Sequence, residues 1–345
     1  MALQTSGRID LSDVSVELGN SGTTYITIGS AEVRDLFGIS SGAISLSDGY
    51  GVSAQAAYFG SRGIFGYGQD YSDGSFHTTI DYINISSVGN ASNFGNVVTG
   101  RSVGGAGFGS GRGIFFGGAQ GMMGATVTEI EYITVATLGN ATVFGDVMQA
   151  GGLFKPAVCA DGVICVSLGG DAGEQSQISY VTIATTGNAA SFGSLSVPRF
   201  SSTAFGSGTR GMVAGGSNYP DATAPTNISY ITYATPGNST TFGTLLAYTV
   251  EAGSCSDGNR GVVAAPDSAM VYVTIATTGN ATSFGNLISP YWQMSGCSDG
   301  VKGVFGGTGS SNNGMEYITV ATTGNATSFG TLTVDRPGAS ALSGD

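Results

Sequence analysis

YITVATTGNATSFG, residues 317–330, decides the fold because it recurs. The other copies are YINISSVGNASNFG from Tyr82, YITVATLGNATVFG from Tyr132, YVTIATTGNAASFG from Tyr180, YITYATPGNSTTFG from Tyr230 and YVTIATTGNATSFG from Tyr272. The asparagines of the Gly-Asn pairs are Asn90, Asn140, Asn188, Asn238, Asn280 and Asn325, at intervals of 50, 48, 50, 42 and 45 residues. Six units of this length indicate a propeller or a solenoid.

Working outward, a second phrase precedes each copy: RGIFGYG from Arg62, RGIFFGG from Arg112, ICVSLGG from Ile164, RGMVAGG from Arg210, RGVVAAP from Arg260 and KGVFGGT from Lys302. Turn chemistry divides each unit into four segments. The first is small and Gly-rich, as in GGAGFGSG before Arg112. The second is the IFFGG phrase. The third is the β-branched and aromatic I-x-Y-I-T-V phrase, and the fourth begins at Phe-Gly, as at Phe144. Asp-Gly pairs (Asp161-Gly162, Asp257-Gly258, Asp299-Gly300) predict tight turns between the first two segments. Gly-Asn, read as a positive-φ turn, separates the last two. Helical periodicity is absent. Four antiparallel strands in each of six units make an all-β, six-bladed β-propeller, with the glycine-rich strand innermost where room is least.

The expected domains are 1–51, a small N-terminal α/β module, and 52–345, the propeller. Its blades fall at about 52–101, 102–151, 152–199, 200–249, 250–292 and 293–345. Closure should involve GASALSG from Gly338, which repeats the first-strand phrase. It either supplies an inner strand to the first blade or packs beside VSAQAAYFG from Val52. In the N-terminal module, Ser12 and Ser30 can cap short helices, DVSVELG and AEVRDLFG, stopped at Gly19 and Gly38.

The layout of a cation at the start of the second strand, glycines after it and Tyr in the third resembles a kelch-type blade. It departs in having Phe where the kelch fourth strand has Trp; the single Trp is Trp292. The near-identical GNATSFG phrases resemble repeats of tailed-phage virion proteins. Residues 1–51 resemble the head of phage tail proteins that precedes a variable distal domain. The resemblance implies a virion protein, assembled in the bacterial host cytoplasm, that joins other virion proteins through residues 1–51.

Composition narrows the function classes. The chain of 345 residues carries a net charge of −12 and only 11 basic residues, which excludes a phosphate-binding sheath and hence nucleic acid. No apolar run approaches the length of a membrane span, and the first residues lack a signal-peptide core. Cys159, Cys165, Cys255 and Cys297 have no CxxC spacing and His77 is the single imidazole, so neither a zinc site nor a His-based triad is expected. Cys159, Cys255 and Cys297 share one repeat slot, read as a small buried one. Taking Asp161-Gly162 as a two-residue loop sets Cys159 opposite Ile164 and points Cys159 and Cys165 to opposite faces, so all four thiols should be reduced.

Catalysis finds no support. Arg62, Arg112, Arg210, Arg260 and Lys302 recur at one position per blade. That distributes them around a ring, with a structural role between blades, and no Ser-x-Asp-x-Gly-x-x-Trp box accompanies them. The Asp-Gly turns lack an EF-hand run of oxygen ligands, and the Gly-rich phrases lack GK[ST]. The Asn-Ala-Thr and Asn-Ser-Thr triplets match glycosylation acceptors but sit at one turn of nearly every blade, where a structural role accounts for them. No cofactor, metal or catalytic residue is expected.

A ligand site is read from loop divergence. The second-to-third turns and the blade connections share one face, and there the sequences differ strongly. Tyr67, Tyr71, Phe76, His77, Met122, Tyr219, Tyr291 and Trp292 are the candidate binding residues. The expected function is a tail-associated adhesin that meets a host surface glycan or protein through this face. The alternative is a capsid or tail decoration protein without a receptor.

Overall fold

The computed structural model describes Val14, Val33 and residues 59–120, 125–170, 176–218, 226–307 and 313–345. The chain divides into two compact units, Met1–Ala56 and Ala57–Asp345. In the first unit Val14 and Val33 are helical and buried, within the two segments expected to be helices; the remainder of that expectation lies outside the described residues.

The second unit is a six-bladed β-propeller of four-stranded antiparallel sheets. From inner to outer strand, blade 1 is Ser340–Gly344, Arg62–Gly66, Thr79–Asn84 and Ser92–Asn96. Blade 2 is Gly105–Gly109, Arg112–Phe116, Glu129–Thr134 and Thr142–Asp146, and blade 3 is Ala157–Ala160, Ile164–Leu168, Gln177–Thr182 and Ala190–Ser194. Blade 4 is Thr203–Gly206, Arg210–Ala214, Asn227–Thr232 and Thr240–Thr244. Blade 5 is Gly253–Ser256, Arg260–Ala264, Ala269–Thr274 and Thr282–Asn286, and blade 6 is Ser295–Ser298, Lys302–Gly306, Gly314–Thr319 and Thr327–Thr331.

The C-terminal segment closes the ring as the inner strand of blade 1, pairing Leu342 with Ile64 and Gly344 with Arg62. Blade 6 makes the same hairpin covalently, with Asp299 N–H on Lys302 O across Gly300 and Val301. In blade 1 the chain break falls inside that turn. Asp345 Oδ1 accepts from Ser61 N at 2.7 Å and Ser61 Oγ at 2.8 Å in place of a peptide link.

The core consists of six apolar layers, one in each seam between neighbouring blades. The Phe of each Phe-Gly pair is the extra residue of a β-bulge: Ile80 pairs with Gly95 and Asp81 with Asn93, which leaves Phe94 unpaired. The same shift recurs in the other blades. A bulge turns its side chain out of the pleat, and here it turns Phe94 onto the edge of Tyr82, with ring centroids 6.1 Å apart and planes at 77°. All six blades carry this T-shaped pair, an arrangement that contributes about 0.5–1.5 kcal/mol beyond area burial.

Seams close by pairing bulk with its absence. Leu342, Cys159, Phe205, Cys255 and Cys297 occupy one inner-strand slot and press on Gly113, Gly211, Gly261, Gly303 and Gly63 of the next blade. The slot is therefore not a small one; the glycine facing it is what is small. Between blades 2 and 3 the pair is exchanged: Gly107 stands on the inner strand and Cys165 on the second. This is why blade 3 carries Cys165 where the other blades carry glycine.

Two turn expectations need correction. Gly162, Gly258 and Gly300 do have positive φ, but the two-residue loop in blade 3 is Gly162-Val163, because Asp161 N–H meets Ile164 O. Cys159 therefore faces Val166 instead of Ile164. A shift of two residues preserves parity, so the thiols of Cys159 and Cys165 still point to opposite faces; all four cysteines are free and buried. The Gly-Asn pairs, by contrast, are absent from the positive-φ residues. Each asparagine instead reaches the neighbouring blade. Asn140 Oδ1 accepts from Asn96 N at 3.0 Å, and Asn188, Asn238, Asn280, Asn325 and Asn90 repeat the contact on Asp146, Ser194, Thr244, Asn286 and Thr331.

Candidate functional site

The ring of cations is structural. Arg112 lies over the Tyr132 ring, 4.6 Å from its centroid, and its guanidinium donates to Ile183 O and Ala184 O of blade 3, each at 3.1 Å. Arg210 and Arg260 do the same from Tyr230 and Tyr272 to carbonyls of the following blade, and Arg62 and Lys302 from Tyr82 and Tyr317. In blade 3 the position is Ile164 and no cation crosses there.

A second set of arginines recurs in half of the units and escapes the sequence reading. Arg101, Arg199 and Arg336 lie in blade connections, seven residues after the Phe of the outer strand, and are fully buried. Arg336 pairs with Asp81 at 3.1 Å and donates to Thr79 O; Arg101 pairs with Glu131 and lies 4.7 Å over the Tyr67 ring. Arg199 has no acid opposite it among the described residues and donates to Asn227 O at 2.9 Å. These groups fix the connections on the divergent face from beneath.

The six candidate binding residues that the structure describes fall into three groups. Tyr67 and Tyr291 are buried, which corrects their placement on the surface. Tyr67 has φ of 63°, packs 5.2 Å from Phe115 and carries a hydroxyl whose pKa burial pushes up. Phe76 and His77 are half-buried. His77 Nε2 lies 2.7 Å from Asp335 O and fastens its loop to the connection from blade 6. Tyr71 and Trp292 are exposed, at 44% and 56%. Met122 and Tyr219 lie outside the described residues.

The structure adds Leu246, Tyr248 and Ile288, all exposed, on the connections flanking blade 5. Among the described residues the exposed aromatics are Tyr71, Tyr248 and Trp292, and every one is on the divergent face. Blade 5 also has the shortest second-to-third turn, residues 265–268.

At the propeller axis this face has a built centre. Each blade connection has a left-handed residue near the axis, Val103, Lys155, Ser201, Glu251, Gln293 and Gly338, with φ between 48° and 71°. Five backbone bonds link them head to tail around the axis, from Val103 N to Gly338 O, Lys155 N to Val103 O, Ser201 N to Lys155 O, Glu251 N to Ser201 O and Gly338 N to Gln293 O. The six residues enclose a recess of about 70 Å³. Beneath it runs an axial cavity of about 200 Å³ lined by the inner strands and Phe59. An ion pair between Lys155 and Glu251 spans the recess, and Tyr71 Oη donates to Gln293 Oε1 at 2.6 Å. The recess thus gathers an ammonium, a carboxylate and an amide that holds the Tyr71 hydroxyl, an arrangement suited to holding a polar ligand. No protein-family model matches the chain, and no curated protein matches it.

Proposed function

We propose that this chain is a virion adhesin of a tailed phage: residues 1–51 attach it to the particle, and the divergent face of the propeller meets the host cell surface. The observation that carries the reading is the placement of Tyr71, Tyr248 and Trp292, the exposed aromatics of the described residues, on one face. Large aromatics left in water serve as anchors for a partner. The opposite face repeats one turn six times and offers little for selective recognition. The resemblance of the GNATSFG repeats to those of tailed-phage virion proteins supports the setting.

The test is binding of the labelled full-length protein to a panel of bacterial cells. Trp292→Ala or Tyr71→Ala should weaken binding by about 2 kcal/mol, the usual cost of truncating an anchor. Thr282→Ala, on the outer strand of blade 5, should bind as the parent does. A protein that binds no cell of the panel sinks the adhesin reading and leaves a decoration protein in its place.

A further inference from the structure

We infer that the axial recess is the subsite for one uncharged pyranose residue of a surface glycan, stacked on Trp292 with a hydroxyl-bearing substituent in the recess. The inference rests on the adhesin reading.

The first argument is backbone conformation. A left-handed residue with a Cβ costs roughly 1–2 kcal/mol relative to glycine. A connection that only had to turn would carry glycine, as Gly338 does. Val103, Lys155, Ser201, Glu251 and Gln293 keep side chains there in spite of the cost, and four of the five are polar. Strain retained at a convergence of polar groups marks a working site.

The second argument is chemical matching. Lys155 and Glu251 neutralise each other while presenting donors and acceptors together, and a hydroxyl, itself donor and acceptor, can insert between such groups. The Tyr71 hydroxyl occupies Gln293 Oε1 and so leaves the amide nitrogen of Gln293 as the donor toward a ligand. Trp292, next in the chain to Gln293 and 56% exposed, offers a flat apolar surface on the same face. A sugar ring has the complementary character, with apolar C–H faces and a polar perimeter.

The third argument is size and charge. With about 70 Å³ of room, the recess takes a hydroxyl-bearing substituent while the ring rests against Trp292. The short turn at residues 265–268 leaves room for a glycan chain to run outward past Tyr248. The chain as a whole carries a net charge of −12 and the recess offers no surplus cation, so sialylated or phosphorylated sugars are repelled.

The test combines a glycan array of neutral, sialylated and phosphorylated bacterial surface oligosaccharides with binding to cells before and after periodate oxidation of their vicinal diols. Binding to neutral glycans is expected, with cell binding lost after periodate. Trp292→Ala and Gln293→Ala should each weaken array binding at least tenfold with Tm unchanged, Trp292→Phe should restore part of it, and Thr282→Ala should have no effect. Cell binding that survives periodate while the array stays silent indicates a protein receptor; it overturns this inference and leaves the adhesin reading standing. Binding confined to charged glycans also overturns it. Absence of any cell binding removes both.

Discussion

At the residue scale, two glycines in the repeated phrase have different physical reasons. A Cβ on Gly145, of the Phe-Gly pair, would collide with the backbone of Gly187 in the next blade, and Gly95, Gly193, Gly243, Gly285 and Gly330 meet the equivalent carbonyls. Gly139, of the Gly-Asn pair, has open space around its Cβ position and no positive φ. Gly145→Ala should therefore destabilise by about 2 kcal/mol through overpacking against backbone, whereas Gly139→Ala should be neutral or slightly stabilising. Thermal denaturation of the two variants checks this, and equal losses would refute the assignment. The Asp-Gly turns were legible because their logic is local: Asp161 Oδ1 accepts from Val163 N and Ile164 N within the same turn. The Gly-Asn pair was misread as a local turn because its asparagine acts on a strand of the preceding blade, and nothing in the phrase itself points there.

At the element scale, the outer strand of each blade has a free edge, which in an open sheet invites association with another chain. The following blade covers it. Gly139 N–H meets Phe94 O, Ala141 N–H meets Asn96 O and Asn140 Oδ1 takes Asn96 N–H, so the edge of blade 1 is hydrogen-bonded by the loop of blade 2. The inner-strand thiols serve the same seams. Burial pushes the Cys159 thiol up to about 12 and raises Cys165, Cys255 and Cys297 as well. Unfolded, these thiols ionise near pH 8.5. A pKa raised on folding means that the stabilisation is complete below the unfolded value and is lost as pH rises above it. Each thiol then removes about 1.4 kcal/mol per pH unit. The urea midpoint should fall steeply from pH 8.5 to 10.5, less steeply in Cys297→Ala, and the folded protein should resist alkylation that labels four thiols once unfolded. A midpoint constant over that range would contradict the burial of neutral thiols.

At the scale of the whole molecule, the six-unit period and the closing role of the last segment were readable from the recurring phrases alone. Which of the two possible closures occurs was not, because Val52 and Gly338 begin similar glycine- and alanine-rich phrases. Deleting residues 337–345 removes the inner strand of blade 1, exposes the edge of Arg62–Gly66 and should lower Tm by several degrees; an unchanged Tm would count against this closure. The site was half legible. Loop divergence singled out Tyr71 and Trp292, which are exposed, but sequence alone could not distinguish them from Tyr67 and Tyr291, which burial claims. Lys155, Glu251 and Gln293 had no local signal, since only the circular arrangement brings their connections together at the axis.

The broken turn of blade 1 bears on how the molecule carries load. Tension on the chain ahead of Ser61 runs along Arg62–Gly66, which is hydrogen-bonded on one side to Ser340–Gly344 and on the other to Thr79–Asn84. Antiparallel bonds lie perpendicular to their strands. A pull along the strand therefore shears both ladders together instead of opening them one bond at a time.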